Sequence, residues 1–116
     1  LGDTTTFHIQ LLLKIIDIEQ FPFIQMVIEK ELTHEEYEEL FHLLHEIERK
    51  YEQQKEEGLL NFSSLLVHFA GMLHEKLEPT ETIQALKREG YFPELMTEFM
   101  KVMDKEQTYF YKHGSM

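Results

Sequence analysis

Six side chains, Tyr37, Leu40, Phe41, Leu44, Ile47 and Tyr51, recur at three- and four-residue steps through a stretch without glycine or proline. That spacing places all six on one face of an α-helix. A helix with one long apolar face has to bury it against other elements. Its ends are also marked. Thr33-His34-Glu35-Glu36 reads as a capping box, the Thr33 hydroxyl accepting from the Glu36 amide while the Glu36 carboxylate reaches back. Gly58 is the expected stop after Glu57. At 1.5 Å per residue the helix is expected to be about 36 Å long.

The remaining segments read the same way. Glycines 2, 58, 71, 90 and 114 and prolines 22, 79 and 93 divide the chain. No run alternates apolar and polar residues long enough for a strand. A first helix is expected from about Thr5 to Glu19. A short one opens at Pro22, a position suited to the first turn, and runs to about Lys30. Asn61 is the expected cap of a helix over Phe62 to Leu77. Gly71 inside it costs about 1 kcal/mol relative to alanine, which a closely crossing helix would explain. Pro79 opens a short helix ending near Glu89 with Gly90 as a left-handed cap, and Pro93 opens the last helix. The 116 residues support a single domain. The expectation is an all-α multihelical bundle over residues 1–116, with four main and two short helices and frayed ends at 1–4 and 112–116.

The first helix is unusual in its circumference. Phe7, Leu11, Ile15 and Ile18 occupy one side, and Ile9, Leu12, Leu13 and Ile16 continue round it. A narrow strip with Gln10, Lys14 and Asp17 is polar. An apolar arc of roughly 240° exceeds what one edge of a small monomeric bundle hides. Such a helix is either central to the core or buried between subunits. Ile9, Leu12, Leu13 and Ile16 are therefore the expected oligomer interface, with a dimer favoured and a trimer as the alternative.

Composition narrows the function classes. There is no cysteine, so disulfides and thiolate chemistry are excluded. The 11 basic against 22 acidic residues give a net charge of -11, the opposite of a phosphate-binding footprint, so no nucleic-acid partner is expected. No apolar stretch reaches the roughly 20 residues of a membrane span. No basic leader precedes Leu11-Leu12-Leu13, and Lys14 and Asp17 interrupt that run, so a secretory signal is not expected and the cytoplasm is favoured.

Several stretches carry a resemblance: Ile9-Gln10-Leu11-Leu12, Pro22-Phe23, Phe69-Ala70-Gly71, Glu75-Lys76-Leu77, Glu81-Thr82-Ile83 and Glu94-Leu95-Met96. With similar spacing from about Ile9 to Met103, the chain resembles the YhaI-like proteins, short cytoplasmic proteins of Bacillus and related bacteria. The resemblance implies an all-helical fold and self-association. It implies no activity and supplies no catalytic motif. This chain is richer in histidine than that pattern.

Searching for chemistry yields little. The glycines are isolated, so neither a GxGxxG turn nor a Walker-type loop exists. No nucleophile elbow surrounds Ser63, Ser64 or Ser115, and Arg49 and Arg88 are thin provision for clamping phosphates. The best metal candidate is Glu39 with His42, plus His45 and Glu46 one turn on. A Glu-x-x-His step can place two ligands on one helix face, but di-iron bundles need two such steps and further carboxylates. His42 lies opposite the apolar stripe, so it is expected in solvent. His68 and His74 share no face. Met96, Met100 and Met103 with Phe99 read as core, or as an adaptable groove. Phe21, Phe23, Tyr91 and Phe92 read as staples at helix ends, or as anchors for a partner. Residues 29–57 hold 11 acidic and 4 basic residues, a solvated face or a docking face for a basic protein.

The leading expectation is a non-enzymatic, homo-oligomeric helical protein with an interaction or regulatory role and no cofactor. The alternatives are a metal-binding protein or metal-dependent enzyme using Glu39, His42, His45 and Glu46, and an acidic adaptor for a basic protein.

Overall fold

The computed structural model describes residues 2–109. They form an all-α fold: α1 (Gly2–Ile15), a 3-10 turn (Ile18–Gln20), α2 (Pro22–Glu29), α3 (His34–Glu56), α4 (Ser63–Met72), α5 (Pro79–Glu89) and α6 (Pro93–Tyr109). No strand occurs among the described residues. The expected frayed end at 112–116 lies outside them.

α3 forms as its sequence dictates. The Glu36 amide donates to the Thr33 hydroxyl at 3.1 Å, and the Thr33 amide donates to the Glu36 carboxylate at 3.0 Å. Leu40, Leu44, Ile47 and Tyr51 are its buried residues. Gly58 takes a φ of 82° just past the helix. This left-handed conformation is the one glycine adopts without a steric penalty.

Helix α4 packs along α3, and α5, packed between α2 and α6, completes the same core. Phe23, Leu44, Ile47, Phe69, Ile83, Leu86, Leu95, Met96 and Phe99 lose all contact with solvent. Met96 is therefore core, and Met100 and Met103 are half-buried against it. Phe23, Phe41 and Tyr91 form a triangle of edge-on rings with centroids 5.2 to 5.8 Å apart. Phe23 and Tyr91 thus act as packing residues, whereas Phe21 stays exposed. At the far end of α3, Lys55 Nζ donates to the Glu94 carboxylate at 2.9 Å and lies 5.1 Å above the Tyr51 ring. Burial there pushes the Tyr51 phenol up to about 12.

Four local expectations are corrected. α1 starts at Gly2 and ends at Ile15, not Thr5 to Glu19. Asp17 leaves the helical conformation and its carboxylate accepts from the Gln20 side chain at 2.9 Å, a local bond that competes with helix. α4 stops at Met72, five residues before Leu77, because His74 turns the chain. Its Nδ1 accepts from the Lys76 amide at 3.0 Å, and its carbonyl accepts from the Leu77 amide at 2.9 Å. No helix crosses at Gly71: a Cβ there would meet nothing within 4 Å. The N-cap of α4 is Phe62 and not the expected Asn61, which sits one residue earlier and accepts from the Ser63 amide at 2.9 Å through its side chain.

α2 has a cap from a distant source. Glu89 Oε1, from α5, accepts from the amides of Phe23 at 2.8 Å and Ile24 at 3.2 Å. The first turn of α2 has no side-chain cap from its own flank, so this carboxylate satisfies donors the helix leaves open.

Two substitutions test this packing by urea unfolding. Phe69→Ala is expected to lower stability by about 3–5 kcal/mol. Gly71→Ala is expected to raise it by about 0.5–1 kcal/mol, since only the helix propensity changes.

Candidate functional site

The feature that stands apart is α1. It has no buried residue, and none of the extensive helix–helix interfaces in the chain includes it. Phe7 is 54% exposed, Leu12 51% and Ile15 79%, with Ile9, Leu11 and Ile16 also open. Leu13 is half-buried. The expectation that α1 could form the centre of this chain's core is therefore overturned. The Cα radius of gyration is 17.0 Å, against about 13 Å for a compact domain of this length.

A second feature lies between α3 and the connection from α4 to α5. A groove of about 340 Å³ runs along this junction. Its apolar floor comes from Leu40, Leu43, Leu73 and Leu77, and Met72 projects beside it. Glu39, His42 and Glu46 form the α3 edge. They share a face because their spacing of three and four residues matches the helical turn.

The groove closes at one end on a charged knot. Glu36 accepts from Lys76 Nζ at 2.7 Å, and His74 Nε2 lies 3.0 Å from its other oxygen. Lys76 Nζ also donates to the Glu31 carbonyl at 2.9 Å. The capping residue of α3 is thus tied to a loop some 40 residues away. The Lys76 ammonium, with the Thr33 amide behind it, lowers the Glu36 carboxyl to about 2.

The structure divides the four metal candidates. Glu39 and His42 are exposed and Glu46 is half-buried along the groove. His45 points elsewhere and meets the Phe92 ring edge-on, centroids 5.0 Å apart. No group of three or more His, Asp or Glu side chains comes together to hold a metal among the described residues. His68 and His74 fall on different structures, a helix and the turn after it.

The family model for proteins of unknown function designated DUF1878 matches residues 3–104. The chain belongs to this family. The matched stretch of this DUF1878 chain takes in nearly all of α1 as well as the body from α2 through most of α6. The uncovered helix is therefore part of the family's domain, not an appendage to it. No helix of the described DUF1878 residues is long and apolar enough to cross a membrane.

Sequence reasoning reached the Thr33–Glu36 box but missed Lys76, His74 and Glu89. Nothing local marks them, because each acts on a residue far away in the chain. The Glu36 knot predicts a pH signature. Its carboxyl is lower in the folded chain, about 2, than the ordinary 4.5. Its stabilisation is therefore complete above about pH 4.5 and is lost as pH falls toward about 2. Glu36→Gln keeps the capping geometry and removes the charge. Its melting temperature is expected to lie below that of the parent at pH 7, and the two to converge as pH falls through that window.

Proposed function

We propose that this protein is a non-enzymatic homo-oligomer whose assembled form serves an interaction or regulatory role, with α1 as the association element. The observation that carries this reading is the solvent exposure of α1 in the isolated chain. Patches of exposed apolar residues of this size mark association sites. The accessible surface of the chain is 8385 Å², against about 6,700 Å² for a compact monomer of this mass. A dimer is the first expectation, since two-fold closure is the commonest, and a trimer is the next.

At finer grain we read it as a YhaI-like protein of the cytoplasm. The absence of cysteine is in keeping with that compartment. The lack of a convergent donor set among the described residues gives no support to the metal reading.

Sedimentation velocity and native mass spectrometry test the proposal. The parent is expected to sediment as a defined oligomer. Leu12→Asp combined with Ile16→Asp is expected to produce monomers with unchanged helices in the body, because neither side chain is buried within its own chain. A parent that is monomeric at all concentrations, or a double variant that assembles like the parent, rejects the reading.

A further inference from the structure

The groove beside α3 and the uncovered α1 have complementary chemistry. We propose that α1 of one copy seats in the groove between α3 and the α4–α5 connection of another, with Lys14 set against Glu39 and Glu46 on the rim. This rests on the self-association reading and adds where the helix lands.

The groove has an apolar floor, and no lysine or arginine of the described residues lines it. Glu36 is already neutralised by Lys76 at the closed end. Glu46 has only Lys50, at 3.9 Å. Glu39 is exposed and enters none of the ion pairs of the described residues. An occupant suited to it is an aliphatic helix with one cation. α1 has that composition. Lys14 is its single lysine or arginine and is flanked by Leu11, Leu12 and Ile15.

Lengths agree as well. From Glu36 to Glu46 the rim extends about 15 Å, and the fourteen residues of α1 extend about 21 Å. The helix can lie along the groove with Leu11 and Ile15, one turn apart, over the leucine floor. Reciprocal exchange gives each copy one filled groove and one covered α1. The interface is then used twice. The exposed face of α4 around Val67 and Gly71 is also apolar, but it carries no acidic side chain for Lys14.

A charge-exchange experiment separates these sites. Assembly is measured by sedimentation across a dilution series for Lys14→Glu, for Glu39→Lys with Glu46→Lys, and for the three changes together. Each reversal alone is expected to weaken assembly about tenfold or more, since like charges then face one another. The triple variant is expected to return to within about threefold of the parent, the mark of a direct pairing in a double-mutant cycle. Circular dichroism should show unchanged helicity throughout, because none of the three side chains is buried in the core. If the rim reversal leaves assembly untouched, or the triple variant stays dissociated, this docking is wrong. Loss of assembly in Leu12→Asp with Ile16→Asp, without any effect of rim reversal, leaves self-association standing and rejects only the groove. Dissociation by Val67→Glu with an intact rim response absent places α1 on α4 instead and likewise overturns the proposal.

Discussion

The apolar stripe of α3 is the surface on which the body depends. Twenty-three residues of helix present Leu40, Leu44, Ile47 and Tyr51 along one line. The helices opposite are short, so several must share the task of covering it. α4 covers one part, and α5 holds α2 and α6 in place against the rest of the core. Those elements are used up in closing this one core. None is left to cover a further apolar cylinder, and α1 remains outside because the body is already complete.

Polar contacts act at the joints between these elements and not within the core. Among the described residues Thr82 is the one buried polar residue, and its hydroxyl donates to the Glu78 carbonyl at 2.7 Å. Elsewhere, carboxylates fix ends. Glu36 holds the start of α3 to the α4–α5 turn, Glu94 holds the start of α6 to the end of α3, and Glu89 closes the start of α2 from α5. Glu78 closes the start of α5, accepting from the amides of Thr80 and Glu81. Those two amides hold its carboxyl below the usual carboxylate range. Part of the large acidic excess is thus spent on helix N-termini, where the open amides and the helix dipole favour negative charge.

Much of the fold was legible in the sequence because its signals are local. The Thr33–Glu36 box, the stops at Gly58 and Gly90, and the prolines opening α2, α5 and α6 each act within a few residues. The stripe of α3 is equally local, since the helical period alone brings it together. What was not legible depends on partners distant along the chain. Gly71 reads as a crossing point only until the neighbouring helices are placed, and then nothing approaches it. Glu89 shows no capping pattern because the amides it serves lie 66 residues earlier. The width of the apolar arc on α1 was readable, but core and interface make the same demand on a sequence. Only the positions of the other helices show that α1 lies outside this chain's own core. The groove was half legible: Glu39, His42 and Glu46 share a face by spacing, while the leucines opposite arrive through the His74 turn.

The place of α1 in the chain has a consequence for biosynthesis. α1 leaves the ribosome before any part of the body that follows it. Even when α2 to α6 have folded, they leave it uncovered. Every nascent chain and every newly released copy therefore displays the same greasy rod. Exposed apolar surface of this kind is what chaperones and proteases engage and what drives aggregation. In the assembly proposed above, the time a chain spends alone becomes a quantity the cell has to keep short, and expression level and quality control act on that interval before the fold itself comes under strain.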